Sequence, residues 1–150
     1  MNSLSIKTKF GWISAFENNR KIFKVKFGKN NNKSVSKNLK RYRNNLVNFL
    51  NRKNNIFESN FLIEGNAIQK KVWNELIRIK LGKTKSYGEI AKKFKLSPRY
   101  VGKICAQNNI AIAIPCHRVV RSDGSMGGFS ARGGIILKQK LLDFEKSWKS

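Results

Sequence analysis

Cys116 and His117 are adjacent residues whose types could carry out nucleophilic chemistry. A thiol attacks only as the thiolate, and its ordinary pKa of about 8.5 leaves just a few per cent ionised at neutral pH. His117, the one histidine in the sequence, could take the proton. Because neighbouring side chains of an extended segment point to opposite faces, we expect a bridging water rather than a direct bond. The alternative is a buried structural cysteine, since free cysteine is among the most buried residue types.

The residues before Cys116 would hold it rigidly, because an apolar run leads into Pro115, which restricts the backbone. The second cysteine, Cys105, forms no Cys-x-x-Cys motif with Cys116, and a single histidine cannot complete a histidine-rich metal site. A structural zinc is therefore not expected. A Cys105–Cys116 disulfide is a further alternative, but it would occupy the candidate nucleophile and fits poorly with a reducing cytosol.

The chain has a strong positive charge, with 32 lysines and arginines against 8 acidic residues and a formal net charge of +24. Such a surface favours salt-dependent binding to a polyanion. No acidic residue lies between Glu89 and Asp123, whereas this stretch contains seven basic residues. Nucleic acid is thus the preferred partner, although a biased genome composition is an alternative source of part of the lysine excess.

The N-terminal residues predict a small α/β domain over residues 1–62, with a scaffolding role. Alternating apolar residues over 1–30 predict a β-hairpin, with Asn18-Asn19 as its turn. The polar, asparagine-rich stretch 29–37 predicts a loop. Apolar residues at helical spacing then predict a helix over 39–51.

The remaining residues, 63–150, predict a mainly helical domain, so that the fold class of the whole chain is α/β (α+β). Helical spacing predicts a first helix over 67–80, ended by Gly82. Ser86 and Glu89 form a capping box that predicts the start of a second helix.

Ser97-Pro98 predicts the start of a third helix, since proline is favoured at the first helical position. The second and third helices lie within residues 86–106 and are separated by a short connection. Together they predict a helix-turn-helix.

The run Pro115-Cys116-His117-Arg118-Val119 resembles the acceptor motif of the O6-alkylguanine-DNA alkyltransferases, also called methylated-DNA–protein-cysteine methyltransferases. The resemblance extends from about Ala67 to Glu145 through several motifs in order. It implies a single-turnover S-methyltransferase for DNA repair, in which Cys116 takes and keeps the alkyl group of a flipped-out O6-alkylguanine in double-stranded DNA. It implies no cofactor and no metal.

The resemblance also implies a role for each of four residues around Cys116. His117 would be the general base, acting through a water, and Glu145 would orient it. Tyr87 would help to rotate the nucleotide out of the duplex and would donate a proton to the leaving guanine. Asn108 would tie the recognition helix to the active-site loop.

Further residues are implied for DNA and guanine binding. Arg99 corresponds to the finger that enters the base stack, and a planar cation at a helix start can stack on bases and reach phosphate. Gly102 inside a helix costs about 1 kcal/mol relative to alanine, which suggests a close approach there. The other DNA-binding candidates are Tyr100, Lys103 and Arg118, and the guanine-binding candidates are Val119, Phe129 and Ser130.

Two other classes of protein stay open as alternatives. A helix-turn-helix regulator without chemistry would account for the charge but leaves the Pro-Cys-His-Arg run unexplained. A lesion sensor would bind modified guanine without being modified, and the presence of Cys116 favours repair over it. No apolar run approaches the length of a membrane span, so we expect a monomeric cytoplasmic protein, associated with the nucleoid in a prokaryote.

Overall fold

The computed structural model describes residues 1–127 and 134–148. The chain divides into two compact units, Met1–Glu64 and Gly65–Lys149. The first unit contains an antiparallel sheet and one helix, and the second is mainly helical. The predicted α+β class is confirmed. No helix within the described ranges is long and apolar enough to span a membrane.

The sheet of the first unit has three antiparallel strands in the order β1 (Asn2–Thr8), β2 (Gly11–Asn18) and β3 (Lys21–Phe27). The predicted hairpin with its turn at Asn18-Asn19 is confirmed in the antiparallel pair β2 and β3, but the first alternating run forms two strands where one was expected. The chain reverses at Gly11, whose φ of +93° lies in the left-handed region that favours glycine. The Thr8 hydroxyl closes this turn by donating to the Gly11 carbonyl at 2.6 Å.

Helix α1 (Lys37–Leu50) covers the inner face of the sheet and confirms the helix predicted over 39–51. It begins at the N-cap Ser36, whose hydroxyl accepts from the Leu39 amide at 3.1 Å. Its buried side chains include the apolar residues at the predicted spacing, namely Leu39, Tyr42, Leu46 and Phe49. These side chains form the core of the first unit together with the apolar residues of the sheet.

The polar stretch before α1 is held against β1. The Ser5 hydroxyl donates to the Asn30 carbonyl at 2.6 Å, and Ser3 forms an antiparallel bridge with Lys33. We call residues 29–33 the strap. The loop prediction for 29–37 did not anticipate these contacts, because they depend on serines that are distant in the sequence.

The second unit begins with α2 (Ala67–Ile77), shorter than the predicted 67–80. An Asn66–Gln69 capping box starts the helix, which ends at Ile77, before Gly82. Ile79 is nevertheless buried, and this explains why it fitted the helical stripe. The indole of Trp73 donates to the Ile104 carbonyl at 3.1 Å and so fixes α2 against the region that contains the site.

Helices α3 (Tyr87–Phe94) and α4 (Pro98–Ala106) begin where the sequence predicts. The capping box of Ser86 with Glu89 is confirmed, and Pro98 takes the first position of α4. Lys95 ends α3 in the left-handed conformation, at φ +56°. Whether the pair docks on DNA as a helix-turn-helix stays a prediction.

Two short strands and a last helix complete the second unit. Strands β4 (Lys85–Ser86) and β5 (Val119–Val120) pair in parallel, which anchors the chain just after the Cys-His pair. Helix α5 (Gly134–Lys146) carries Glu145 on its buried face.

Candidate active site

Cys116 begins a short 3-10 turn, Cys116–Arg118, that is closed by a bond from the Arg118 amide to the Pro115 carbonyl at 3.0 Å. The extended backbone expected here was wrong. In a 3-10 turn successive side chains are about 120° apart, so Cys116 and His117 diverge without pointing to opposite faces. Cys116 is 9% exposed and is a free cysteine, as is Cys105.

Asn108 connects the end of α4 to the segment that carries the thiol. Its side-chain oxygen accepts from the Ile110 amide at 2.8 Å, and its Nδ2 donates to the Ile114 carbonyl at 2.8 Å. The same Nδ2 lies 3.3 Å from Cys116 Sγ. The segment also holds Ile112 at φ +69°, a strained conformation for a β-branched residue. Such strain persists only where surrounding contacts over-determine it.

His117 and Glu145 form a buried pair, with His117 Nε2 2.9 Å from Glu145 Oε2. This bond commits Nε2 and leaves Nδ1 as the ring nitrogen that could act on Cys116. Neither side chain is more than 1% exposed. The sequence resemblance anticipated this contact, although residues 117 and 145 lie on different elements.

Arg118 is 5% exposed and its guanidinium group is directed into the protein, so the structure does not support the DNA contact expected for it. Its Nε and Nη2 donate to the two carboxylate oxygens of Glu145 at 2.8 and 2.9 Å. Its Nη1 donates to the Ile79 carbonyl at 2.7 Å. This bidentate arrangement fits the planar fork of arginine and fixes the Glu145 carboxylate.

The electrostatics of Glu145 favour its charged form. Burial alone raises the pKa of the carboxyl group, but the hydrogen bonds and charges of His117 and Arg118 outweigh it and lower the pKa to about 2. Glu145 is therefore ionised at neutral pH. An anion on one side of the imidazole stabilises the imidazolium that would form if His117 took a proton.

The surroundings of Cys116, by contrast, favour its neutral form. Burial raises the pKa of the thiol, and the Asn108 hydrogen bond and the Lys138 charge reduce the rise without cancelling it. Cys116 therefore rests as a thiol and requires a base before it can react. Burial also raises the pKa of Cys105, to about 12, so this second thiol also rests protonated at neutral pH.

Lys138 is a residue of the site that the sequence analysis missed. Its side chain is 0% exposed, and its Nζ lies 3.2 Å from the Tyr87 hydroxyl oxygen, to which it can donate. Burial lowers the pKa of this ammonium group, and the two cysteines oppose the shift. The available signal was the position of Lys138 on the same helical face as Leu137 and Leu141, because lysine is almost never buried without a partner.

Tyr87 lies at the first position of α3, and its ring is close to Gly102 of α4 and to Gly127. A Cβ atom built on Gly127 would lie 2.5 Å from the Tyr87 ring, so the backbone there is in direct contact with the ring. A Cβ atom on Gly102 would lie 3.8 Å from the same ring, an ordinary contact. Burial raises the pKa of Tyr87 to about 12 and keeps its hydroxyl protonated at neutral pH.

The remaining candidates for DNA and guanine contacts that the structure describes lie on the surface of α4 and in the buried strand β5. Three of the candidates, Arg99, Tyr100 and Lys103, are exposed side chains of α4. Val119 is buried in β5, and its amide donates to the Cys116 carbonyl. The predicted guanine contacts Phe129 and Ser130 lie outside the described residues. Within 1–127 and 134–148, no group of three or more potential metal ligands occurs.

The region that contains the candidate site matches a known family. Residues 67–147 match the family described as 6-O-methylguanine DNA methyltransferase, DNA binding domain. Two proteins described as methylated-DNA–protein-cysteine methyltransferase are similar to the chain in sequence. The one from Sulfolobus acidocaldarius is 48% identical over 80 residues, covering 53% of this chain and 50% of that protein. The one from Candida glabrata is 43% identical over 88 residues, covering 57% and 42%.

The similarity of folds extends further than the similarity of sequences. The crystal structure of Mycobacterium tuberculosis OGT in complex with DNA matches 98% of this chain and 94% of that one, with a TM-score of 0.85 and 27% identity. By sequence, the chain spans half or less of the length of the two curated relatives that it matches. Because the family match covers more than half of the chain, the protein belongs to the 6-O-methylguanine DNA methyltransferase family.

Proposed function

We propose that this protein repairs DNA by moving the alkyl group of an O6-alkylguanine onto Cys116, once per molecule. The observation that carries the proposal is the set of hydrogen-bonded side chains on the segment that holds the thiol. Asn108 contacts Cys116 Sγ, and His117 follows it in the chain with its ring held by Glu145. The relatives described as methylated-DNA–protein-cysteine methyltransferases and the DNA complex of the M. tuberculosis protein support DNA as the substrate.

The first step is deprotonation of the buried thiol. His117 takes the proton through a bridging water, and the Glu145 carboxylate stabilises the resulting imidazolium. Asn108 and Lys138 stabilise the thiolate, by a hydrogen bond and by charge respectively. Arg118 acts as a positioning residue, because it holds both Glu145 oxygens in place.

The second step is an in-line displacement at the alkyl carbon. A bond forms between Cys116 Sγ and that carbon while the bond from carbon to guanine O6 breaks, and the electron pair stays with guanine. The Tyr87 hydroxyl then gives its proton to the guanine anion. Lys138 donates to the Tyr87 oxygen and stabilises the phenolate that this leaves. The thioether on Cys116 is stable, so the molecule acts only once.

Access to the lesion requires that the alkylated guanine leave the base stack, at a cost of a few kcal/mol. We assign the docking of the duplex to α4, where Arg99 would enter the stack beside the exposed Tyr100 and Lys103. Gly102 leaves room for the DNA backbone. Val119, Phe129 and Ser130 remain our proposed guanine contacts. The protein would act as a monomer in the cytoplasm, at the nucleoid in a prokaryote.

Intact-protein mass spectrometry after incubation with a duplex that contains O6-methylguanine tests this function. We expect a gain of one CH2 unit, mapped by digestion to Cys116 and absent from Cys116→Ala. The matched variant Cys105→Ala should gain the same mass, since the proposal places the alkyl group on Cys116, the thiol that Asn108 contacts. Tight binding without any mass gain would instead identify a lesion sensor or a DNA-binding regulator.

A further inference from the structure

The outer face of the three-stranded sheet is rich in lysines. Residues directly opposite each other in paired strands share a face, and every second residue along a strand returns to it. The pairs Lys7–Trp12, Ser14–Lys26 and Phe16–Lys24 therefore lie on one face. The apolar residues of the core lie on the other face, under α1.

The strap adds two more lysines to this face. It crosses from the end of β3 to the outer edge of β1, where Lys33 pairs with Ser3. The ammonium group of Lys29 lies over the Trp12 ring at 4.9 Å, and that of Lys26 lies over the Phe16 ring at 5.4 Å. We define the basic sheet face by its five exposed lysines, Lys7, Lys24, Lys26, Lys29 and Lys33.

No acidic side chain of the three strands lies on the basic sheet face. The one acidic residue of the three strands, Glu17, lies on the opposite face, is 2% exposed and accepts from the Asn2 amide group. None of the five lysines forms an ion pair within the described residues. Residues 1–64 contain 14 lysines and arginines against 3 acidic residues, so the surroundings do not neutralise the face.

Cation–aromatic contacts hold two of the lysines over a rigid surface. Such contacts are weakly attractive at exposed sites and reduce the number of orientations that each ammonium group samples. The strap is itself fixed to the sheet by serine hydroxyls, since Ser5 donates to the Asn30 carbonyl at 2.6 Å and Ser3 donates to the Asn31 carbonyl at 3.0 Å. The result is a fixed array of cations with no carboxylate among them, which is complementary to a line of phosphates.

We propose that the basic sheet face binds the phosphate backbone of a DNA duplex, as a contact separate from the one that engages the lesion. It goes beyond the alkyl transfer proposed above and does not depend on Cys116. The lysines would provide affinity without reading sequence, because phosphate contacts position a protein and base contacts specify. The unit Met1–Glu64 would thus help to hold the protein on undamaged DNA.

The test compares two variants of the full chain that lose the same charge. The face variant carries Lys7→Gln, Lys24→Gln, Lys26→Gln and Lys29→Gln. The matched control carries four substitutions at exposed positions of α1, namely Lys37→Gln, Lys40→Gln, Arg41→Gln and Arg43→Gln. Fluorescence anisotropy gives the affinity for a short undamaged duplex as a function of salt. Circular dichroism verifies the fold of each variant.

Each phosphate contact contributes about 0.9 to the slope of log K against log salt. We expect the face variant to lower the magnitude of the slope by up to about 3.6, and the control to lower it by less than about 1. Equal losses in both variants would mean that only net charge matters and would overturn the proposal, as would an unchanged slope in the face variant. If the fourfold variant does not fold, Lys24→Gln with Lys26→Gln should lower the slope by up to about 1.8.

The experiment separates this proposal from the alkyl-transfer proposal. Undamaged DNA offers no alkyl group, so the salt slope is measured whether or not Cys116 reacts. Methylation of Cys116 by a damaged duplex, measured at low salt, should stay within about twofold of the parent protein in both variants. A face variant with a reduced slope would support the second contact even if no mass gain were found on Cys116.

Discussion

The substitution Glu145→Gln removes the carboxylate that joins His117 to Arg118. Glutamine keeps the shape of the side chain but replaces one acceptor oxygen by an amide that donates. In the parent protein the two oxygens accept three hydrogen bonds, from His117 Nε2 and from Arg118 Nε and Nη2. The variant therefore has a donor facing a donor at one of these positions.

The expected loss of stability in Glu145→Gln follows from the burial of Arg118. The guanidinium group stays charged but loses its anionic partner and faces the new amide donor at one position, while its bond to the Ile79 carbonyl remains. Breaking a buried ion pair by removing one partner costs about 3–5 kcal/mol. The lowering of the Glu145 pKa from 4.5 to about 2 by the same two partners corresponds to about 3 kcal/mol at neutral pH, a similar magnitude. We expect the free energy of unfolding to fall by about 3 kcal/mol.

Urea unfolding at neutral pH, followed by far-UV circular dichroism, measures this loss. With a slope of about 2 kcal/mol per molar urea, the midpoint should fall by about 1.5 M. Asp143→Asn is the matched control, because it makes the same chemical change on the exposed side of α5. It should change the free energy of unfolding by less than about 0.5 kcal/mol.

The contribution of Glu145 to stability should depend on pH in a definite direction. Because the folded-state pKa of Glu145 is lowered, its stabilisation is complete above the unfolded-state pKa of about 4.5 and is lost as pH falls towards about 2. The difference in stability between the parent and Glu145→Gln should therefore shrink over this range. Adding Arg118→Met to Glu145→Gln should restore stability, since it removes the unpaired cation. Additive losses, or a loss below about 1 kcal/mol in Glu145→Gln, would refute the reasoning.

Two further substitutions test how the thiol and Tyr87 are positioned. Asn108→Ala removes the bonds to Ile114 and Ile110 and the contact with Cys116 Sγ. We expect the free energy of unfolding to fall by about 1–3 kcal/mol, measured by urea unfolding. We also expect methylation of the protein to be at least tenfold slower, measured by single-turnover mass spectrometry. The exposed neighbour Asn109→Ala should leave both quantities unchanged, and equal effects at the two positions would contradict the role of the tether. Gly127→Ala places a methyl group 2.5 Å from the Tyr87 ring, which must move, so methylation should slow at least tenfold while the urea midpoint changes little.

Local signals in the sequence were sufficient for most of the second unit. The Ser86–Glu89 capping box and Pro98 are short-range features with a direct physical cause, and both helices begin where these residues predict. The end of α2 was less predictable. Ile79 continues the apolar stripe into the core after the helix has ended, so periodicity alone extends the helix too far.

Contacts between distant residues were not readable in the same way. The sequence shows Arg118 beside the Cys-His pair in a basic stretch, and an exposed DNA contact was the natural interpretation. Its burial depends on Glu145 and on the Ile79 carbonyl, each far away along the chain. Lys138 was missed for the same reason, because its partner Tyr87 lies 51 residues earlier.

The raised pKa of the buried thiol is compatible with the proposed single-turnover reaction. A thiolate exposed at rest would react with any electrophile, and one such event would end the working life of the molecule. Burial keeps Cys116 protonated, while the ionised Glu145 and the nearby Lys138 are in place before any substrate arrives. The proposed reaction therefore needs only a proton transfer to His117 when a lesion enters. Burial favours the neutral Cys116 thiol, whereas the charges of Lys138 and Glu145 stabilise a thiolate and an imidazolium respectively. Under the proposed function, we infer that Cys116 becomes reactive only when a flipped base has entered the site.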